Sequence, residues 1–251
     1  MTLHVFAICY NEEYLMPFFL QHYFFKVGAT HITIYDNHST DGTERVIDEF
    51  RALYPERKVS IIKYDSDGQI RDDLYIQIKN TCWKDCGADW VVVCDMDEFL
   101  YFDKRTHIAL KELTDKKLHI VRCKGYEMVG DAVPQFEGYE CKTLPELCPF
   151  GTLRNNHDKC LLFKGDLPYI NYGYGAHSAY TQADTYNSEG DIKMLHFKFL
   201  SAEYLIHTYR KRAVRLSEFN KQHGFGFHYN YSDEQIINEY NDFYNRRTKV
   251  I

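Results

Sequence analysis

Nowhere in this chain do about eighteen apolar residues run together, the length a helix needs to cross a bilayer. The opening MTLHVFAICYNEE turns acidic too soon for a secretory signal, so a cytoplasmic location is expected. The eight cysteines include no C-x-x-C pair, which removes the commonest zinc signature. Cys9 and Cys94 fall inside apolar runs, and reduced, buried thiols are expected rather than disulfides. Neither sign of charge dominates: 36 acidic against 30 basic residues leave a net −6, which excludes broad nucleic-acid binding as the main role. Internal repeats and low-complexity tracts are absent too. What is plentiful is aromatic, 16% of the chain with 21 tyrosines, many of them in the C-terminal half. At 251 residues, 45% hydrophobic and 26% charged, the composition is that of a globular protein of one large domain, or one with a helical appendage.

Periodicity over the first hundred residues alternates. Leu3 to Cys9, His31 to Asp36 and Lys58 to Tyr64 read as strands; Glu12 to Val27, Asp41 to Leu53 and Ile70 to Cys86 read as helices. A fourth strand begins at Trp90. With short loops between them, these elements predict an α/β fold with a doubly wound, mostly parallel sheet flanked by helices. Beyond Leu100, Leu118 to Tyr126, Lys159 to Lys164 and Ile192 to Phe199 are strand-like, whereas Asp166 to Tyr186 has little periodicity and reads as a lid or acceptor loop. Ser201 to His223 and Ser232 to Arg247 read as two terminal helices. Residues 1–200 are therefore assigned to one catalytic and ligand-binding domain, with 201–251 a helical extension packed on it.

The fourth strand ends in WVVVCDMDEFL, Trp90 to Leu100, where an apolar, β-branched run gives way to three carboxylates. Such a run is buried on both faces of a sheet, and ligands of open α/β sheets bind beyond the carboxyl ends of the strands. Asp95 and Asp97 can turn toward one hard cation carrying a substrate's phosphates. Turn formation or helix capping is the plain alternative, but a cap needs one carboxylate. A haloacid-dehalogenase-type phosphohydrolase with Asp95 as nucleophile is another, although Phe99 stands where that pattern has Thr or Val. At the end of the second strand, YDNHSTDGT places Asp36 to accept hydrogen bonds from a base or ribose, with Ser39 or Asp41 capping the next helix. Asn11 and Glu12 end the first strand.

Taken together, CYNEE, YDNHSTDGT and DMDEFL resemble a family-2-type glycosyltransferase of the GT-A fold. The D-x-D-E-F variant and a late L-H-F segment are closest to the branch related to family 92. The resemblance covers residues 1–100 well and Lys159 to Lys211 more loosely. It implies a nucleotide-sugar donor, a UDP-sugar being favoured, and Mn²⁺ or Mg²⁺ as cofactor. It implies Asp36 at the nucleoside, with Asn11 beside it; Asp95 toward the ribose and metal; and Asp97 on the metal. Asn37 stands where many members have a second Asp, which leaves that contact unassigned. Inversion at the transferred sugar is the stereochemistry the resemblance implies.

The chemistry asks for more. Departing diphosphate needs neutralising charge, for which His196 is a candidate third metal ligand and Arg71, Lys159 and Lys198 are candidate phosphate partners. A general base must deprotonate the acceptor hydroxyl; Glu127 and Asp131 are the favoured candidates, with Asp158 and Glu98 also in range. Tyr169, Tyr172, Tyr174 and Tyr180, flanking His177, form either a sugar-stacking platform or a packed loop. Arg210, Lys211, Arg212 and Arg215 in the helix from Ser201 offer a basic face, either solvated or turned to a phosphate, an anionic membrane surface or a lipid-linked acceptor. The expected activity is sugar transfer to a glycan or lipid-linked acceptor; the rivals are the phosphohydrolase and a non-catalytic glycan-binding module.

Overall fold

In the computed structural model, which describes residues 1–251, the alternating half folds as β1 (Leu3–Cys9), α1 (Met16–Gln21), β2 (His31–Asp36), α2 (Thr43–Leu53), β3 (Lys58–Lys63), α3 (Asp72–Thr81) and β4 (Trp90–Asp95). There follow β5 (Glu98–Phe102), α4 (Thr106–Asp115), β6 (Ile120–Arg122), β7 (Lys124–Val129), α5 (Leu144–Leu147), β8 (Phe150–Leu153) and β9 (Leu162–Lys164). A small hairpin of β10 (Asn171–Tyr172) and β11 (Ala179–Tyr180) precedes β12 (Thr185–Asn187) and β13 (Ile192–Phe199). The C-terminal part holds α6 (Ala202–Ala213), α7 (Glu218–Gln222), α8 (Asp233–Arg246) and β14 (Thr248–Lys249).

The main sheet runs β12-β6-β9-β4-β1-β2-β3, parallel from β4 to β3, with β9 antiparallel to both its neighbours. This is the expected α/β sheet. Its centre, β1 and β4, is almost wholly buried because apolar side chains point both ways from it. A second sheet, β14-β8-β7-β13-β5, packs beside the first and shares its largest apolar core. The chain passes from one sheet to the other at the D-x-D: Asp95 ends β4 and Glu98 starts β5.

Several expected elements differ in extent. The first helix begins at Met16 rather than Glu12, and its last turn, His22–Val27, is a π-helix closed by Gly28 in the left-handed region. Residues 12–15 stay out of it, leaving the Glu12 side chain free to face the ligand cleft. The third helix starts at Asp72, because the backbone of Ile70 is bonded instead to Arg215 and Ser217. The single strand expected from Leu118 to Tyr126 is two, parted at Cys123, one in each sheet. The helix expected over Ser201 to His223 breaks where Leu216 bridges Ile70, and Ser217 then caps α7 through Asn220 N–H.

All eight cysteines are free, Cys9 and Cys94 buried as expected. No helix is long and apolar enough to cross a membrane.

Candidate active site

Where the two sheets part at the D-x-D, a cleft of about 700 Å³ opens at the carboxyl end of the parallel strands. Asp95, Asp97, Glu98, Lys159, His196 and Lys198 line it, joined by Glu12, Arg154, His157, Arg212 and Tyr229.

Register explains much of this convergence. In the second sheet, His196 of β13 stands opposite Glu98 of β5 and, on its other side, opposite Glu127 of β7. His196 Nδ1 lies 2.8 Å from Glu127 Oε1, and its Nε2 faces Asp97 Oδ2 at 3.5 Å. Burial disfavours the charged imidazole, but Glu127 and Asp97 outweigh it and hold the His196 pKa at about 9. Burial likewise penalises the Asp97 carboxylate; His196 and Arg212, whose Nη2 is 3.0 Å from Oδ2, reverse this and hold it well below the usual range. Glu127 is fully buried, and its second oxygen accepts from Arg154 Nη1 at 2.7 Å. His157 Nδ1, 3.8 Å from that oxygen, has no hydrogen-bond partner. Burial, then the neighbouring cationic groups His196 and Arg154, push its pKa far down and keep it neutral.

Glu98 and Asp95 form a second charged group. Glu98 is buried, ion-paired with Lys159, and accepts a bond from Asp95 N–H at 2.9 Å. Burial works against its charge, but Lys159 and Lys79 hold its pKa below the usual carboxylate range. Lys79, buried on α3, reaches Asp95 Oδ1 at 2.8 Å. Glu98 and Lys159 thus brace the turn that aims the D-x-D. Glu12 is different: its carboxylate has no bonded partner, and burial, aided by Asp97 and opposed by Arg212, raises its pKa to about 8.

Three cations come from β13 and the segment after it. Lys198, two residues beyond His196 and on the same face of β13, is buried without a carboxylate partner; its ammonium sits 4.7 Å and 4.9 Å from the ring centres of Tyr209 and Tyr229. Burial lowers its pKa. Arg212 reaches Asp97, and Arg215 stacks 3.5 Å over Tyr10 while its Nε donates to Gly68 O at 2.6 Å. Arg210, paired to Asp233, and Lys211 stay exposed, so the basic run read from the sequence is split between the surface and the cleft. That is a correction: the spacing along one helix suggested a solvent face, whereas two of its arginines close the cleft.

Other candidates stand elsewhere. Asp36 is 1% exposed, with its oxygens bonded to Ser39 and Lys63, and lies outside the cleft lining. Asn11 accepts from Thr40 N–H at 2.7 Å and clasps the loop after β2 instead of facing ligand. Asn37 is buried against Ser66. Arg71 is bound by Asp73, and Asp131 by Tyr244 and Arg247 at the far end of β7. A base at Glu127 conflicts with its burial and its two bonded oxygens; a base at Asp131 conflicts with its place outside the cleft. Asp158 follows the 155–157 turn and ties it to β7, its carboxylate accepting from Gly125 N–H and pairing with Lys124. Of the four tyrosines, Tyr174 alone lines the cleft; the Tyr172 hydroxyl is tied to Cys160 O. His177 also lines it, held by Asn156 O at 2.7 Å. Arg154, His157, Lys79 and Tyr229 were not legible as site residues, since nothing local distinguishes them from ordinary surface or loop residues; Arg212 was named only as one of a basic run.

Two donor sets fit a divalent cation to different degrees. Ligands at roughly 2.1 Å from one ion can be no more than about 4.2 Å apart. Asp97 Oδ2 and His196 Nε2, at 3.5 Å, lie within this span, with Arg212 Nη2 3.0 Å from the same Oδ2, whereas the set of Glu127, His157 and His196 spreads to within 4.8 Å and has Arg154 on its carboxylate at 2.7 Å. Asp95 is turned to Lys79 rather than to that pair.

The model of the family described as glycosyltransferase family 92 matches residues 7–251, almost the whole chain. The chain belongs to glycosyltransferase family 92. It is a transferase, and the phosphohydrolase reading is set aside. Family 92 membership, with the parallel core ending at the D-x-D, agrees with the GT-A resemblance read from the motifs. Among solved structures, TarS 1–349 of S. aureus is similar at 16% identity and TM-score 0.48, over 88% of this chain and 68% of that one. The mannosyltransferase PcManGT of Pyrobaculum calidifontis, in complex with GDP-Man and Mn²⁺, is similar at 16% identity and TM-score 0.48, over 85% of this chain and 61% of that one. TarS 1–349 in complex with UDP is similar at 16% identity and TM-score 0.47, over 96% and 70%. No curated protein sequence matches the chain.

Proposed function

We propose that this family 92 protein transfers a sugar from a nucleotide-sugar donor, a UDP-sugar by preference, to a glycan hydroxyl, with Mn²⁺ or Mg²⁺ and with inversion. The observation that carries the reading is the meeting of Asp97 and His196 with Lys198 and Arg212 in one cleft at the D-x-D. Family membership supports the transfer itself; inversion and the uridine preference rest on the motif resemblance.

When bound, the cation supplies positive charge to the leaving diphosphate. Asp97 and His196 would hold it, and Glu127, by accepting from His196 Nδ1, aims Nε2 at that position. Lys198, which has no counter-ion in the protein, and Arg212 are placed to take the remaining phosphate charge. Glu98 and Lys159 keep the turn in place, with Lys79 doing the same for Asp95. A cytoplasmic location belongs to this reading.

Calorimetric titration with UDP, GDP and dTDP, each with Mn²⁺ and then with EDTA, tests it. Metal-dependent binding of one nucleotide, followed by turnover of its sugar derivative, is the expected result. Nucleotide binding without turnover on any acceptor would favour a glycan-binding module instead.

A further inference from the structure

Transfer by inversion needs a group to take the proton of the attacking hydroxyl, and the carboxylates of the cleft are engaged elsewhere. Glu98 is ion-paired with Lys159 and Asp95 with Lys79, and both oxygens of Glu127 are bonded. Glu12 has no bonded partner, but it sits among Arg212, Asp97 and Arg215, with the charges that surround the diphosphate position.

His177 is placed differently. It lies in the turn between β10 and β11 and lines the cleft. Its Nδ1 is 2.7 Å from Asn156 O. A carbonyl oxygen can only accept, so Nδ1 carries the hydrogen, and in the neutral ring Nε2 is left with a free lone pair. Nε2 has no hydrogen-bond partner in the protein and is not buried. Gly175 keeps that edge clear: its φ is +66°, and a Cβ there would stand 2.7 Å from Cδ2 and 2.9 Å from Nε2 of the ring. Partial burial, then the Lys159 ammonium, outweigh Asn156 O and Glu98, and Lys79 adds to them, so that the His177 pKa is held below its ordinary value and the ring is neutral at pH 7.

The His157 ring lies between His177 and the metal side of the cleft. It is edge-on to His196, ring centres 4.8 Å apart, and stacked on His177 at 5.8 Å. That one-ring gap separates the free lone pair from the groups that hold the diphosphate.

We propose that His177 is the general base of the transfer. Its Nε2 takes the proton of the acceptor hydroxyl as the hydroxyl oxygen bonds to the anomeric carbon; the bond from that carbon to the diphosphate oxygen breaks, and its electron pair leaves with the nucleotide. The inference rests on the transferase reading for its reaction, whereas the tautomer and the open Nε2 stand on their own geometry.

The test is release of nucleotide from UDP-glucose, UDP-galactose, UDP-N-acetylglucosamine and GDP-mannose, each with Mn²⁺ and with water or neutral oligosaccharides as acceptor, alongside nitrogen NMR of His177. His177→Asn keeps a donor for Asn156 O but has no lone pair at the Nε2 position. It should lower kcat on the order of 10²- to 10⁴-fold, leave the calorimetric affinity for nucleotide and the melting temperature unchanged, and regain part of the lost rate with added imidazole. Glu12→Gln is the contrast. A kcat retained in His177→Asn while Glu12→Gln loses it, a loss in His177→Asn that weaker nucleotide binding accounts for, or a hydrogen on Nε2 rather than Nδ1 at pH 7 would overturn the proposal. The two ideas fail separately: no nucleotide release by the unaltered protein from any donor defeats the transferase reading, and release that His177→Asn leaves intact defeats only the base.

Discussion

His196 Nδ1 sits 2.8 Å from Glu127 Oε1, joining two residues 69 positions apart whose strands, β13 and β7, run parallel. The contact fixes which ring nitrogen of His196 faces Asp97. It also gives Glu127 a contact that orients the His196 ring, where the sequence suggested an acid–base group.

Glu127→Gln is expected to lower the His196 pKa from about 9 toward the ordinary histidine value. Because the folded value is raised, its stabilisation is fully present below about pH 6.5 and is lost as pH rises through about 9. Melts of the unaltered protein and the variant, without added metal, should therefore differ most at pH 6 and converge above pH 9, with His196 followed by NMR titration.

Metal binding at His196 must displace its proton. Mn²⁺ affinity should rise between pH 6.5 and 9 in the unaltered protein. Asp97→Asn should remove the EDTA-sensitive part of nucleotide binding, measured by calorimetry. Nucleotide affinity that is equal with and without EDTA in the unaltered protein would contradict a metal role for Asp97.

Lys198 is buried without a carboxylate partner, a costly arrangement that is useful only when an anion arrives. Lys198→Met should melt no lower than the unaltered protein, while kcat falls on the order of 10²- to 10³-fold. Arg212→Ala should also reduce turnover, but with a lower melting temperature, since it strips a partner from buried Asp97.

Gly125 lies directly under the loop that carries Arg154 and His157: a Cβ there would stand 2.3 Å from the His157 carbonyl carbon. Gly125→Ala should cost roughly 1–3 kcal/mol, read by denaturant unfolding. It should also shift the His157 and His196 NMR signals by displacing that loop.

The alternating half of the fold was legible because its signals are local. β1, β2 and β13 have the expected bounds, since each is an apolar run closed by a polar or turn residue. Helix ends were less legible: Ile70 leaves α3 to bond with residues far along the chain, which no window on its own neighbourhood can report.

In the site, the D-x-D and His196 stood out because carboxylates closing an apolar strand, and a histidine within a later one, are chemically conspicuous in the sequence itself. Asp36 looked equally suitable by spacing, yet Lys63 from the neighbouring strand and Ser39 occupy its oxygens. The basic run from Arg210 to Arg215 looked like a surface. The folded chain turns two of its arginines inward because α6 packs against β13 and α7 docks on α3.

The sequence by itself determined the α/β order, the strand that ends in Asp95 and the kind of chemistry to expect there, because propensity, periodicity and ligand type are properties of short segments. Only the tertiary structure decided that Glu127 orients His196 and that Arg212 meets Asp97. Those pairs depend on strand register within the second sheet and on the docking of the C-terminal helices, which are settled by the packing of the whole core.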